Sequence, residues 1–306
     1  MPENAEFIPV SMPSVGDRER DYLLRAVESG WISSLGEYVT RFEEEFAAFC
    51  GAREAVSVSN GTAALHLALH ALGIRAGDEV LVPDLSFIAS ANAILMSGAT
   101  PVFCDIDPET LCVDVASAES MITPRTKAIM PVHLYGHPAD MTAVMALAER
   151  HGLVVVEDCA EAHGSEIEGQ RVGSFGECGT FSFYANKNMT TGEGGMITTN
   201  SEQLADDLRE LRDHAMSKTK RYWHERMGFN YRMTNLQAAV GCAQMESLPR
   251  FLAERRRVFA RYQANLADDS RVRLNREAPG TKHSYWMICA EISGVSEATR
   301  DQICRE

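Results

Sequence analysis

Apolar positions along the chain fall into helically spaced stretches and short continuous runs, and over much of its length the two alternate. After a Pro-containing, irregular start over residues 1–15, residues 16–29 repeat with helical spacing, placing Tyr22, Leu23, Ala26 and Val27 on one side. Gly30 to Gly36 interrupts that pattern. A second amphipathic stretch, 37–50, turns Val39, Phe42, Phe46 and Phe49 inward and its acids outward. Short apolar runs at 55–58, 79–82, 101–104, 128–132 and 154–156 then read as strands. Helical stretches at 62–72, 87–96 and 142–150 lie between them. Strands alternating with helices predict a mostly parallel sheet covered on both faces, a three-layer α/β sandwich. Further on, an aromatic run beginning at Phe181 reads as a buried strand and 196–199 as another. A long helix comes next over 246–266, whose Arg255, Arg256 and Arg257 read as a solvated face.

Composition narrows the class without naming a function. The chain has 306 residues, 45% hydrophobic and 24% charged, ordinary for a globular protein and enough for two domains. A net charge of −14 argues against nucleic acid or an anionic membrane surface as partner. Any anionic substrate must therefore be met by local positive groups. The eight cysteines contain no C-x-x-C pair and several sit in apolar runs, which predicts reduced, buried thiols and a cytoplasmic protein. No Cys/His spacing points to a metal, and no apolar run approaches the ~20 residues of a membrane span.

The candidate chemistry lies at strand ends. Lys187 follows the aromatic strand and precedes a turn containing Gly192, Gly194 and Gly195. Desolvation there lowers a lysine pKa and makes the amine a nucleophile, whereas an isolated lysine is more often a surface loop residue. Asp158 ends the run Leu153-Val-Val-Val-Glu-Asp158. Taken alone it reads equally well as a helix cap. A lysine that forms a Schiff base and an acid that faces a pyridinium nitrogen are, however, the pair that pyridoxal 5′-phosphate (PLP) needs. Ser59-Asn-Gly-Thr-Ala-Ala64 places small residues at a helix start, which suits an anion or a plain capped turn. Phe87 reads as core or as a stacking surface, Glu161 as a loop acid, and His163 as a hydrogen-bonded structural histidine.

Together, Asp158-Cys-Ala-Glu-Ala-His-Gly164, Phe181-Ser-Phe-Tyr-Ala-Asn-Lys187 and Gly192-Glu-Gly-Gly195 resemble the nucleotide-sugar aminotransferases, PLP enzymes of fold type I. The resemblance runs from about residue 8 to the last residue. It implies that Lys187 carries PLP and moves the proton, and that Asp158 faces the ring nitrogen. It implies that Gly61, Thr62 and Ser182 hold the phosphate, that Phe87 stacks on the ring, and that Glu161 lies by the phenolic oxygen. It implies a homodimer, or a higher homo-oligomer, with shared sites in which Asn230 reaches the neighbouring subunit's phosphate. Some relatives carry histidine in place of this lysine and dehydrate the sugar; Lys187 favours transamination. The segments Arg221-Tyr-Trp-His224, Asn230-Tyr-Arg-Met-Thr-Asn-Leu236 and His283-Ser-Tyr-Trp286 resemble the branch that acts on GDP-4-keto-6-deoxymannose with L-glutamate as amino donor. A UDP- or dTDP-linked keto sugar is the alternative, and an inactive PLP-binding scaffold is the reading from another class.

The same reading divides the chain into a large PLP-binding domain, 1–247, and the start of a smaller α+β domain, 248–306. Residues 283–292 read as a strand apolar on both faces, with a helix from 296 to 306 after it. That helix can cover only one of the strand's faces, so the second domain is expected to be incomplete.

Overall fold

The computed structural model describes residues 9–305. Helices α1 (Asp17–Glu28) and α2 (Glu37–Cys50) precede β1 (Glu54–Val58), α3 (Gly61–Ala71), β2 (Glu79–Pro83), α4 (Ala89–Met96) and β3 (Thr100–Cys104). Then come α5 (Val115–Ser120), β4 (Thr126–Ile129), α6 (Met141–His151) and β5 (Val154–Asp158). Next are β6 (Glu166–Ile167), β7 (Gln170–Arg171), β8 (Cys178–Ser182), β9 (Gly195–Thr199) and α7 (Glu202–Leu211). The chain continues with α8 (Asn235–Asn265), β10 (Val272–Leu274), β11 (Thr281–Lys282), β12 (Ala290–Ile292) and α9 (Glu297–Ile303).

Seven strands form one sheet in the order β1-β9-β8-β5-β4-β2-β3. Only β9 runs against the rest, antiparallel to both β1 and β8. The expected mostly parallel sheet is present, and period two explains its two covered faces. Val80, Val82 and Val156 join the core under α3, α4 and α7. Their neighbours Leu81 and Val155 point the other way, into the core with α5 and α6. Phe42 and Phe46 of α2 pack with Phe181 and Phe183 over the remaining part of that second face. Because β1, β2, β5 and β8 all run the same way, their carboxyl ends open on one edge, where ligands bind in such sheets.

Several elements differ from the pattern reading. The long helix starts at Asn235 rather than 246. Thr234 and Gln237 close a capping box there, a start signal stronger than the loss of apolar period upstream. Arg255 and Arg256 do not form a solvated face: they donate to the Trp286 and His283 carbonyls, respectively. The expected strand 283–292 is not one. Only β11 and β12 pair at its margins, with β6 and β10. Residues 283–289 form an irregular strap in which His283, Ser284, Tyr285 and Trp286 are all buried. Its apolar residues find cover on the main body of the chain, not in a second layer of their own. Tyr285 stacks on Phe259 of α8 at 3.9 Å, and the Ser284 and Met287 N–H groups donate to Gly136 and Tyr135 carbonyls.

Six cysteines are buried, Cys289 is half-buried and Cys304 exposed, and none is bonded to another. Burial raises the thiol pKa at Cys50, Cys112, Cys159 and Cys178, which leaves them poor nucleophiles. No helix among the described residues is long and apolar enough to cross a membrane.

Candidate active site

A pocket of about 680 Å³ opens at the carboxyl edge of the sheet, and Lys187, Asp158, Glu161, Ser182, Gly61 and Thr62 all line it. Each arrives by a short path from a strand end. Asp158 closes β5 and pairs with Thr180 of β8, so its backbone is fixed on both sides: its N–H donates to Pro131 and its carbonyl accepts from His133. Its side chain is buried, with Oδ2 accepting from Ser90 Oγ at 2.7 Å and Oδ1 from the Ala160 N–H at 3.1 Å. Ser86 Oγ lies 2.9 Å from Ser90 Oγ, so hydroxyls on α4 and the loop before it support the carboxylate.

The helix-start signal at Asn60 is used as the sequence predicts. Asn60 Oδ1 accepts from the Ala63 N–H at 2.8 Å. The Gly61 and Thr62 N–H groups have no helical carbonyl to bond, and both residues line the pocket together with Ser182. A Cβ at Gly61 would come within 2.7 Å of Ser182 Cβ, so glycine is required for this close approach. The result is an anion cup made of backbone donors and two hydroxyls.

Lys187 lines the same pocket. Its Nζ is 3.7 Å from Glu161 Oε1 and 3.7 Å from the centroid of the Trp286 ring. Burial pulls the amine below the ordinary lysine range, against the opposing pull of Glu161 and Asp158. Burial likewise pushes the Glu161 carboxyl above the ordinary range, against Lys187 and the Tyr135 N–H, which donates to Oε2 at 2.8 Å. Tyr135 adopts a left-handed conformation (φ 56°) to present that N–H.

Phe87 is 68% exposed over the same pocket. Asn230 lies elsewhere: it is exposed on the 228–234 segment, its Oδ1 accepting from Arg232 at 3.4 Å, and it does not line the pocket. His163 is buried, but not hydrogen-bonded as expected. Both ring nitrogens lack a partner among the described residues, and the ring packs 5.5 Å from Phe181 and 5.6 Å from Phe183. Burial, with the Lys187 charge, pulls its pKa down to about 3, so it is neutral. His133, Glu157 and Cys159 cluster within 4.8 Å. Glu157 there accepts from the Gly173, Phe175 and Gly176 N–H groups and faces His133 Nε2, so it braces the loop after β7.

Two residues of the site, Ser90 and Trp286, are not marked as functional by the sequence pattern. Ser90 lies inside a helical stretch with no local signal. Trp286 falls within the expected strand, although the break between polar His283-Ser284 and the aromatic pair after it is a usable sign of irregular backbone.

The donor set fits pyridoxal phosphate on its own chemistry: a desolvated amine, a buried carboxylate with neutral donors, and an anion cup only glycine permits. Fold and site together define a PLP-dependent transaminase of fold type I. Residues 13–306 match the model of the DegT/DnrJ/EryC1/StrS aminotransferase family, and the chain belongs to that family. Among curated proteins it is 49% identical over 300 residues to GDP-perosamine synthase of Caulobacter vibrioides, covering 98% of this chain and 81% of that one. It is 48% identical over 233 residues to the UDP-N-acetyl-3-dehydro-α-D-glucosamine 3-aminotransferase of Acidithiobacillus ferrooxidans, 76% of this chain and 63% of that one. The sugar aminotransferase Spr1654 of Streptococcus pneumoniae, described as putative and solved in its PLP form, superposes with a TM-score of 0.93 at 29% identity. That match covers 97% of this chain and 81% of that one.

Proposed function

We propose that this protein transfers an amino group from L-glutamate to the 4-keto carbon of GDP-4-keto-6-deoxymannose, giving GDP-perosamine for surface polysaccharide, in the cytoplasm. The observation that supports it best is the convergence of Lys187, Asp158 and the Gly61–Thr62 cup in one pocket, in a chain this similar to GDP-perosamine synthase. A UDP-linked keto sugar is the second reading, favoured by the similarity to the A. ferrooxidans enzyme.

Gly61, Thr62 and Ser182 would hold the cofactor phosphate, Phe87 its ring face, Glu161 its phenolic edge and Lys187 its aldehyde carbon. PLP, when bound, supplies an electron sink for the carbon attached to the transferred nitrogen. Asp158 would keep a proton on the ring nitrogen, its own charge secured by Ser90 and Ala160. Lys187 Nζ would remove a proton from the amino donor's α-carbon. In the second half-reaction it delivers one to the sugar carbon that was the ketone. Its lowered pKa leaves more free amine for the first task at neutral pH.

Residues 1–247 are read as the large domain and 248–306 as a smaller one, the boundary falling inside α8. The protein is read as a homodimer with Asn230, outside its own chain's pocket, completing the neighbour's phosphate site. Mixing inactive Lys187→Ala and Asn230→Ala chains should then restore part of the activity, and no recovery after confirmed subunit exchange would place Asn230 in cis. Substrate identity is tested with GDP-, UDP- and dTDP-linked keto sugars and isotope-labelled glutamate. Label entering the GDP-linked sugar with the highest kcat/KM supports the reading; preference for a UDP sugar replaces it with the second.

A further inference from the structure

The strap 283–289 brings Trp286 to the lysine, and its construction points to a task. Three hydrogen bonds hold Trp286 in place, one on the indole and two on the backbone beside it. Nε1 donates to the Asn186 carbonyl at 2.8 Å, the Trp286 carbonyl accepts from Arg255 at 2.9 Å, and the next residue's N–H donates to the Tyr135 carbonyl. A ring face so held lies 3.7 Å from Lys187 Nζ and lines the pocket. The substrate carbon that reacts must come to that nitrogen, so the indole face meets whatever lies one or two bonds from it.

For a 4-keto hexose, two substituents are that close: the ring hydroxyl on one side and the exocyclic carbon on the other. The indole face offers neither donor nor acceptor, and its one polar group is already spent on Asn186. Asn186 Oδ1, the other acceptor nearby, is sealed from solvent and carries no partner among the described residues. A hydroxyl pressed onto this face would lose water and gain nothing, whereas a methyl group loses nothing. We propose that Trp286 is a specificity residue that takes the exocyclic carbon of the sugar and selects a 6-deoxy substrate over its 6-hydroxy counterpart. This rests on the nucleotide-linked 4-keto-sugar reading.

The test compares wild type with Trp286→Phe, Trp286→His and Trp286→Ala on a pair of GDP-linked 4-keto hexoses differing only at the 6-position. Wild type should prefer the deoxy member by roughly tenfold to a hundredfold in kcat/KM, the usual result of burying one unpaired hydroxyl. Phenylalanine should keep most of that ratio. Histidine, which restores a hydrogen-bonding group, and alanine, which admits water, should abolish it. The same ratio should appear without turnover, in calorimetric Kd values of the two aminated products for Lys187→Ala and Lys187→Ala/Trp286→His, with cofactor affinity reporting that each variant is folded. A ratio that survives in the histidine and alanine variants overturns the role of Trp286. A wild type that turns over neither sugar, yet binds cofactor, overturns the substrate reading and this inference with it.

Discussion

Two regions meet at Lys187, and they are held in place by different means. On the sheet side, Asp158, Ser182 and the start of α3 are placed mainly by backbone: a strand end flanked by two neighbours, a strand end facing Gly195, and a helix start capped by Asn60. On the strap side, Trp286 is held mainly by side chains reaching carbonyls, from Arg255, Arg256 and its own indole. Ladder-fixed geometry is rigid and suits a cofactor that never changes. Side-chain tethers are replaceable one at a time, which suits the part of a site that differs between substrates. The comparison predicts that lesions on the sheet side disturb cofactor and chemistry, while lesions on the strap side disturb substrate.

The largest effect belongs to Lys187→Ala. Loss of both nucleophile and proton carrier should lower turnover by about 10⁴-fold or more, and borohydride reduction should no longer leave a pyridoxyl group on the 181–196 peptide. An adduct at Lys218 or Lys220 in the wild type would break the assignment. Next comes Asp158→Asn, which should still bind PLP, since a charge-assisted hydrogen bond contributes about 1.5–3 kcal/mol to a tight complex. Its turnover should fall by at least about a hundredfold, because the charge matters most as the carbon loses its proton. Near-normal turnover would remove Asp158 from the mechanism.

Glu161 stands between the regions, touching Lys187 on one side and Tyr135 on the other, so Glu161→Gln reads their coupling. Without the carboxylate the lysine ammonium loses its nearest counter-charge, and its pKa falls further. In the cofactor-free protein the unfolded chain binds the lysine proton more tightly, so Lys187 contributes stability that is present above the ordinary lysine value. That contribution is lost as pH falls through the depressed value. Glu161, raised, acts in the opposite sense: its contribution is present at low pH and lost as pH rises through its own value. The amide removes the second effect and extends the first to lower pH. The midpoint for labelling Lys187 with an amine reagent should move to lower pH, with more free amine at fixed pH. An unmoved midpoint would show the two groups to be uncoupled.

The smallest effect is expected from Arg255→Ala, which frees the Trp286 carbonyl. A KM for the keto sugar raised by about threefold to tenfold, with cofactor affinity unchanged, fits a loss of about 1 kcal/mol from one hydrogen bond. A weakened cofactor instead would mean that the two regions are not separable.

The same division governs what the sequence discloses. The short apolar runs at 79–82, 128–132 and 154–156, and the capped turn within 59–64, are local, and local signals suffice to place the sheet, Asp158 and the cup. The strap depends on Tyr135, far earlier in the chain and in the left-handed conformation, and on two arginines whose charge run resembles a solvated face. Nothing within a few residues of Trp286 encodes either. Ser90 is illegible for the same reason: its partner is 68 positions away. Asn230 shows the converse, since a motif can name a residue that its own chain leaves outside the pocket.

Helix α8 carries a mechanical consequence. It packs by its first half against α1 and α2, and grips the strap through Arg255 and Arg256 in its second half. Pro249 lies between the halves and cannot donate to the Met245 carbonyl. The ladder of the rod therefore lacks one bond at that turn, between the part that joins the core and the part that holds the strap. The indole's seat against the lysine is therefore set in part by a helix whose own residues lie outside the pocket, through the Arg255 bond to the Trp286 carbonyl.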